Sequence, residues 1–492
     1  MGNRGKDRNT CPFRVYYTPD ECYTGMLAES WDMPDPLTYI FKIRDGVYFH
    51  DKRPANGRQL TAFDVAYAYQ RQLGLGSPES GLKKKSPMAI GVANWKDIAS
   101  VEATDKSTLV FKLSKEQPAF LKFILCDAVG DYIYPPELVE QYGDLTNWRI
   151  AIGSGPFMLT DFVSGSGITL RKNPNYWGYD ELHPQNRLPY VDNVKILIIP
   201  DASSRLAAIR VGKVDTYSGI SWEDRADLDK SNPEFKWMSQ YGTCLELCPV
   251  NSKPPFNDTR VRKAMQMAID NETIAETFYG GYADPFPSFI NREVADLYIP
   301  FEEYPKEIQE GFTYNPEKAK QLLAEAGYPD GFKTTLALYP DGVDIAAIVK
   351  EYLAAVGIDM ELKVMEMATY QGILYTKPRA YEMCFIYSCF GVGFLDAISW
   401  RMQPSSWNFS DVDDPVLVKM VEDVRNSKDP TEKAKLQKET LMYVNSQHYV
   451  VSLPVRVSFT MWQPWLKGYS GETHLGPQNP GALWARVWID KD

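Results

Sequence analysis

Short segments in which apolar and polar residues alternate recur along the chain, and this pattern predicts β-strands. The clearest segments, all rich in β-branched and aromatic residues, are Leu37–Ile43, Thr108–Leu113, Ile168–Arg171, Val194–Ile199, Phe332–Leu338 and Ile358–Val364. Apolar residues at helical spacing behind a capping residue run from Thr61 to Leu73, Asp201 to Gly212, Asn257 to Ile269, Asn315 to Gly327, Asp344 to Val356 and Thr431 to Tyr443. Because strands and helices alternate, we predict mixed α/β sheets.

Composition narrows the class of protein. The chain has 492 residues, the length of roughly three domains. Its 53 basic and 64 acidic residues give a net charge of −11, which argues against nucleic-acid binding because such proteins show a basic excess. Aromatic residues make up 13% of the chain. This abundance suits a protein that grips organic ligands by apolar contact, although aromatic side chains also fill ordinary cores.

The sequence contains no recognisable catalytic, cofactor or metal motif. It has no G-x-S-x-G nucleophile elbow, no G-x-x-x-x-G-K-[ST] phosphate loop, and no H-E-x-x-H or C-x-x-C pair. Only four histidines are present, none at metal-ligand spacing from another, and His50 is interpreted as a strand-end residue. We therefore predict no catalytic residue, no metal and no cofactor.

Neither a membrane span nor a disulfide framework is evident. The longest uncharged apolar-leaning stretch, Met383–Leu395, falls short of the ~20 residues that a spanning helix needs. Among the seven cysteines, Cys244 and Cys248 are too far apart within one strand to bridge each other. Free buried thiols are favoured, and a disulfide from one of these two to Cys384 or Cys389 stays open.

Eight motifs in a fixed order are more informative than any of them singly. They are Leu27–Trp31, Phe41–His50, Leu60–Tyr67, Gly155–Phe157, Arg171–Gly178, Asp201–Asp215, Asn251–Ala264 and Asn315–Phe332. Each one alone is explained by packing anchors, turns or helix caps. Together, from about residue 26 to about residue 460, they closely resemble the extracellular solute-binding proteins of family 5. These are the oligopeptide-, dipeptide- and nickel-binding components of ABC importers.

The resemblance implies an α/β fold of the type II periplasmic-binding-protein class, with two hinged lobes and a subdomain inserted in the first. Mapped on this sequence, lobe I takes residues 1–32, 151–248 and 456–492. The inserted subdomain takes residues 33–150, and lobe II takes residues 249–455. This division agrees with the estimate of about three domains from length.

The resemblance also implies how the protein works. A small organic or peptide-like ligand binds between the lobes, which close over it, and differential affinity for the closed state replaces bond-making chemistry. The closed protein then docks on a membrane permease. We accordingly expect a monomer without nucleic-acid partners that is periplasmic or extracellular and membrane-associated through that permease.

The beginning of the sequence departs from the family pattern. Only 26 residues precede Leu27, whereas family members usually carry several tens there, comprising a secretion signal and a first strand of lobe I. Residues Met1–Arg8 lack the apolar core of such a signal, and Cys11–Tyr23 supplies no obvious replacement for the strand. We therefore expect a truncated or misplaced start, and a lobe I sheet with an exposed edge.

One lobe II segment bears on the identity of the ligand. In peptide-binding members, a Trp-x-x-Asp-x-x-Asp-Pro segment anchors the peptide's α-amino group through the Asp that follows the Trp. The matching segment here is Phe390–Trp400, and aligning Asp396 with the Asp of Asp-Pro places Gly393 where that carboxylate belongs. Burying an ammonium group without a counter-charge is costly. We therefore hypothesise a ligand other than a plain di- or oligopeptide.

The ligand-binding residues predicted from this alignment are Phe390, Gly391, Gly393, Phe394, Asp396 and Trp400, with Tyr217 and Trp222 as weaker candidates from the first lobe. The three aromatic residues of the segment would cradle the ligand, and its two glycines would let the backbone approach closely. The structural alternative is that these aromatic residues belong to the core and that Asp396 caps a helix.

Two functions of other classes stay open from the sequence. One is a secreted hydrolase or lyase that relies on paired carboxylates, which turnover assays on glycosides or esters would reveal. The other is a receptor-coupled or chaperone-like binder on the same fold, which the presence or absence of adjacent permease and ATPase genes would distinguish.

Overall fold

The structure is a computed structural model that describes residues 25–74, 97–116, 132–242, 244–287, 290, 292, 297–387, 398, 402, 407–471 and 480–491. The chain divides into two compact units. Unit 1 comprises Met1–Ser218, Asp227–Met238 and Thr460–Asp492, and unit 2 comprises Gly219–Ala226 and Ser239–Phe459. The chain therefore passes four times between the units. The division into five segments made from the sequence stays a prediction.

The strands of the described residues, in chain order, are β1 (Ala28–Asp35), β2 (Thr38–Ile43), β3 (Ile98–Ala103), β4 (Thr108–Leu113), β5 (Phe157–Val163), β6 (Gly167–Lys172), β7 (Asn193–Leu197), β8 (Thr216–Ile220), β9 (Lys236–Tyr241), β10 (Leu245–Pro249), β11 (Ala283–Asp284), β12 (Phe332–Leu338), β13 (Ile358–Val364), β14 (Met383–Tyr387), β15 (Val451–Ser452), β16 (Val455–Trp462), β17 (Leu466–Lys467) and β18 (Trp488–Ile489).

The helices of the same residues are α1 (Ala62–Leu73), α2 (Pro136–Tyr142), α3 (Ala202–Arg210), α4 (Trp222–Ser231), α5 (Thr259–Met267), α6 (Asn271–Thr273), α7 (Lys306–Phe312), α8 (Pro316–Glu325), α9 (Val343–Ala354), α10 (Met367–Tyr375), α11 (Pro415–Asn426), α12 (Pro430–Gln447) and α13 (Pro480–Trp484). A π-helical turn, Ile274–Phe278, continues α6. None of the helices in the described part of the chain combines the length and apolarity needed to cross a membrane.

Unit 1 contains an antiparallel sheet in the order β1-β2-β4-β3, and α1 packs against it. The ring of Phe111 on β4 meets Phe41 on β2 and Tyr69 on α1 edge to face, at centroid separations of 5.6 and 5.1 Å. At the start of α1, the Asp64 carboxylate accepts the backbone N–H of Thr61 at 2.8 Å. Thr61 and Asp64 thus form a capping box, which fixes where α1 begins.

A second sheet of unit 1 has the order β5-β6-β7 and is less well covered. β7 is its last strand, and Ile196 and Leu197 on β7 are exposed. Helix α3, which follows β7, begins where the Asp201 side chain accepts the N–H of Ser204 at 2.7 Å. Only Ile209 on α3 is fully buried. Apolar residues of β7 and α3, among them Ile196, Leu197 and Ile209, thus line a cavity of unit 1.

Unit 2 is built on a five-stranded sheet in the order β13-β12-β14-β10-β15. β12 pairs in parallel with β13 and β14, whereas β10 pairs antiparallel with β14 and β15. β10 and β14, near the middle of the sheet, are buried along nearly their whole length, whereas the first four residues of β13 alternate between buried and exposed. Leu247, Leu336 and Phe385 are fully buried in the same core as residues of α5, α8 and α9.

Helix and strand boundaries in unit 2 follow from local chemistry. The Asn315 side chain accepts the N–H of Lys318 at 2.9 Å, and Pro316 occupies the first helical position of α8. Gly331, immediately before β12, has a φ of +75°, and a Cβ there would lie 1.8 Å from the carbonyl oxygen of Gly357. Only glycine allows this close approach between the turns that open β12 and β13. The predicted mixed α/β architecture is confirmed.

Candidate functional site

The structure describes the strand that leads into the predicted ligand segment but not the segment itself. β14 lies between β12 and β10 and ends at Tyr387. The predicted ligand residues beyond it, all outside the described residues, are Phe390, Gly391, Gly393, Phe394, Asp396 and Trp400. Their part in ligand binding stays a prediction. The residues around the end of β14 are described, and they include several tyrosines and an arginine.

A row of tyrosines supports an arginine at this strand end. The guanidinium of Arg456, on β16, lies over the ring of Tyr387, 5.2 Å from its centroid. Tyr387 contacts Tyr339 at a centroid separation of 5.9 Å, and Tyr339 contacts Tyr370 at 5.5 Å. The Tyr370 hydroxyl donates to the carbonyl of Phe385, which ties the row to β14. Aromatic faces attract cations, so this row holds the guanidinium in place.

The backbone of Arg456 is fixed on both sides, and its side chain is exposed. Arg456 lies opposite Ala283 of β11, and its carbonyl accepts the N–H of Gly242 at 2.8 Å. The N–H of the next residue, Val457, donates to the carbonyl of Tyr282 at 2.8 Å. Arg456 is exposed, and no carboxylate of the described chain forms an ion pair with it.

Tyr279 is a buried neighbour of this arginine. Its side chain is 9% exposed, and its ring packs edge to face on Phe278 at a centroid separation of 4.9 Å. Burial raises the pKa of Tyr279 to about 12, and the positive charge of Arg456 acts in the opposite direction. The phenol is therefore neutral at physiological pH, so it does not neutralise the charge of Arg456.

A second arginine of unit 2 is also surrounded by tyrosines, but it has an acidic partner. The Nη1 group of Arg292 donates to the Tyr241 hydroxyl at 3.0 Å, and the guanidinium lies 5.0 Å from the ring of Tyr241 and 5.8 Å from that of Tyr298. Its Nε lies 3.3 Å from Oδ2 of Asp284. Burial raises the pKa of Asp284, and the charge of Arg292 opposes that rise.

Tyr217, one of the weaker candidates, lines a cavity of about 710 Å³ within unit 1. β7 borders this cavity on one side and β8 on another. Its remaining walls come from α3, from residues 213–215 and from Leu466, Tyr469, Trp484, Val487 and Ile489. The guanidinium of Arg205 lies 5.6 Å from the centroid of the Tyr217 ring. This volume lies in the range of small-molecule pockets. Tyr217 and this cavity belong to unit 1, whereas Arg456 belongs to unit 2.

Trp222, the other weaker candidate, makes structural contacts within unit 2. Its indole Nε1 donates to the carbonyl of Phe278 at 3.2 Å. Gly280, at φ +58°, lies so close to the ring that a Cβ there would be 2.5 Å from it. These contacts anchor the turn that follows the π-helical turn, and a ligand contact by Trp222 stays a prediction.

His50 has the structural role expected of a strand-end histidine. Its Nδ1 accepts the N–H of Gly153 at 3.2 Å, and its Nε2 lies 3.1 Å from the carbonyl oxygen of Gly155. Burial lowers the pKa of His50, which favours the neutral ring that this pattern requires. Both ring nitrogens are thus occupied by the backbone and are not available for proton transfer.

The described part of the chain holds no group of three or more His, Cys, Asp and Glu side chains placed to bind a metal ion. Of the cysteines in that part, Cys244, Cys248 and Cys384 are buried and form no disulfide. Cys248 lies opposite Cys384 in the pairing of β10 with β14. The interpretation of these three residues as buried thiols is therefore confirmed, and the other four cysteines lie outside the described residues.

The sequence interpretation missed Arg456 and Tyr387. One signal was present: Arg456 is the only charged residue between Tyr449 and Leu466, a stretch otherwise made of apolar and uncharged side chains. Its stacking on Tyr387 could not be predicted, because the two residues lie far apart in the sequence and on strands of different sheets.

Comparison with known proteins gives one family and several relatives. Residues 23–407 match the family described as "Bacterial extracellular solute-binding proteins, family 5 Middle". The chain is 28% identical over 470 residues to the "Heme-binding protein A" of Haemophilus influenzae, covering 90% of this chain and 81% of the relative. It is 27% identical over 348 residues to the "Glutathione-binding protein GsiB" of Escherichia coli O157:H7, covering 69% of this chain and 61% of that protein.

Among solved structures, the chain resembles the ABC transporter-associated periplasmic binding protein DppA from Helicobacter pylori, solved with the peptide STSA. The TM-score is 0.77 and the sequence identity is 25%, and the similarity covers 98% of this chain and 91% of that chain. The similarity thus extends over the whole fold and includes both units.

Proposed function

Since the chain belongs to the bacterial extracellular solute-binding proteins of family 5, we propose that it captures a carboxylated, peptide-like solute outside the cytoplasm and delivers it to the permease of an ABC importer. The match over residues 23–407 carries this proposal. The chain is a solute-binding protein of ABC transport with the two-lobed α/β fold of that family. The family consists of binding proteins, which argues against the alternative of a secreted hydrolase or lyase.

The class of solute is indicated by the ligands of the relatives and by the glycine at position 393. Two relatives are named for binding heme and glutathione, and the solved structure holds a peptide. Peptide, glutathione and heme all carry carboxylates. Gly393 stands where the alignment places the carboxylate that holds a peptide's α-amino group. We therefore propose that this protein holds its solute through contacts other than an amino anchor, with Phe390, Phe394 and Trp400 against its apolar parts.

Association with the membrane follows from the same proposal. The family is described as extracellular, and the permease would be the only membrane-embedded partner. The exposed surfaces of the two units would carry the contacts with that permease once the lobes have closed, and lobe closure itself stays a prediction from the resemblance.

Titration calorimetry with the full chain tests the proposed solute class. We expect glutathione to bind in the micromolar range and an unmodified tripeptide, Ala-Ala-Ala, to bind at least about 10-fold more weakly, the factor that 1.4 kcal/mol represents. The physical reason is that the tripeptide ammonium would be buried opposite Gly393 without a compensating charge, whereas the ammonium of glutathione shares its carbon with the α-carboxylate of the γ-glutamyl residue. Low-micromolar binding of the tripeptide would show that an amino anchor exists elsewhere and that the solute is an ordinary peptide.

A further inference from the structure

The cavity of unit 1 lies between the last strands of two sheets. In the described part of the chain, β7 ends the sheet β5-β6-β7 and β8 ends the sheet β11-β16-β8. All five residues of β7 line the cavity, as do Thr216, Tyr217 and Ser218 of β8. Consecutive side chains of a strand point to opposite faces, so a cavity that touches all of them runs along the edge of the strand. Two strand edges therefore border one cavity.

The register of β7 shows which of its backbone groups point away from its neighbour. β6 and β7 pair antiparallel, and the N–H of Ile198 donates to the carbonyl of Ser166 at 2.8 Å. In an antiparallel pair every second residue bonds to the facing strand. The N–H and C=O groups of Asn193, Lys195 and Leu197 therefore point outward, and no described residue forms a hydrogen bond with them.

The walls beside these backbone groups are apolar. Ile209, Leu466 and Val487 are buried and line the cavity. A row of outward N–H and C=O groups is a template for a further strand, whereas an acyl chain or another apolar small molecule offers those groups no partner. From this geometry we infer that the cavity accepts an extended segment of a second protein, which pairs along β7 and β8 and packs apolar side chains against these walls. This binding site goes beyond the proposed function.

The charge of the cavity indicates the chemistry of that segment. Lys195, Arg205 and Lys213 line the cavity. The acidic residue among the described lining residues is Asp215, which accepts the indole N–H of Trp465 at 2.8 Å. The chain as a whole carries a net charge of −11, so this local excess of positive groups runs against its overall charge. A segment that alternates apolar residues with polar residues, one of them acidic, complements the cavity.

Calorimetry with a peptide of that chemistry tests the inference on the full chain. The probe is acetyl-Val-Glu-Val-Thr-Val-Thr-amide, slightly longer than the five residues of β7. Its matched control is the same peptide N-methylated at the second, fourth and sixth residues, which keeps every side chain but removes the N–H groups along one edge. The control should bind at least about 10-fold more weakly, because several backbone hydrogen bonds are lost. Affinities within about twofold of each other would contradict strand addition.

Lys195→Pro and Lys195→Ala separate the backbone of β7 from its charge. Both variants lose the lysine, but only proline removes the outward N–H, and proline is tolerated at such edge positions because no hydrogen bond to β6 is broken. Lys195→Pro should bind the probe about 3- to 10-fold more weakly than Lys195→Ala, the effect of one lost hydrogen bond. Equal affinities would contradict the inference. Both variants should treat glutathione as wild type does, which keeps this test separate from that of the proposed function.

Hydrogen exchange of the wild-type protein locates the probe without any substitution. In the free protein the amides of Asn193, Lys195 and Leu197 should exchange rapidly, and the probe should slow them together with the amides of β8. Slow exchange of these amides in the free protein would mean that the chain covers its own strand edges. Protection only elsewhere would place the probe at another site. Either result would overturn the inference, although the solute-binding function would stand.

Discussion

Replacing Arg262 by methionine is expected to lower the free energy of unfolding of unit 2 by about 3–5 kcal/mol, because two buried carbonyl groups and a partly buried one would each lose a charged donor. Arg262 lies on α5 and is 4% exposed. Its Nη1 donates to the carbonyl of Phe256 at 2.6 Å, its Nη2 to that of Gln447 at 2.9 Å, and its Nε to that of His448 at 3.1 Å. These bonds join α5 to the end of α12.

The charge of Arg262 persists despite its burial. Burial lowers the pKa of Arg262 to about 10, and the nearby Tyr449 and acidic side chains act in the opposite direction. The guanidinium is therefore still protonated at neutral pH, and its hydrogen bonds to the three carbonyls are charge-assisted. Methionine would fill much of the same space but could donate none of them.

Arg260→Met provides the matched control, since Arg260 lies on the same helix but is exposed and pairs with Asp258 at 2.6 Å. Its urea denaturation midpoint should stay close to that of wild type because exposed ion pairs contribute little. Urea denaturation followed by tryptophan fluorescence measures both variants. Equal midpoints for the two variants would mean that the Arg262 contacts do not hold α5 to α12.

Truncating Leu247 to alanine is the second large effect, with an expected loss of about 2–5 kcal/mol from the free energy of unfolding. Leu247 is fully buried on β10, where it lies opposite Phe385 of β14 and Val451 of β15. Its side chain belongs to the core that the sheet of unit 2 shares with α5 and α9. Removing three carbons there leaves a cavity that fixed neighbouring strands cannot collapse.

The same sheet supplies the control for this truncation. Val364, the last residue of β13, is 50% exposed, and Val364→Ala should change the free energy of unfolding by about 0.5 kcal/mol or less. Urea titrations with unchanged slopes would show that both variants unfold as wild type does. A loss for Leu247→Ala no larger than that for Val364→Ala would contradict the assignment of β10 to the centre of the core.

Much of the local structure could be predicted because its causes are local. The strands β4, β12 and β13 begin and end where the alternation of apolar residues predicted them. Helix α8 starts at Pro316 behind the Asn315 cap, as expected from that pair of residues. In each case the residues that set the boundary lie within the element or next to it.

Elements stabilised by distant pairing were not predicted. β1, Ala28–Asp35, has mostly exposed side chains and no apolar alternation, and only its pairing with β2 makes it a strand. The sequence also predicts a second helix from Glu272, but the structure has there only the short α6, which widens into the π-helical turn ending at Phe278. For the same reason the contact of Arg456 with Tyr387 could not be predicted from the sequence, because it depends on how the fold brings β14 and β16 together.

Mass spectrometry of small molecules released by denaturing the full chain, after purification from its host without added ligand, tests the central claim most directly. We predict about one equivalent of a single intact solute that carries at least one carboxylate and a peptide-like or other organic framework. An uncharged or purely cationic solute would contradict the proposal that the protein captures a carboxylated solute. Release of a cleaved product from an added substrate would contradict the conclusion that the chain is a binding protein.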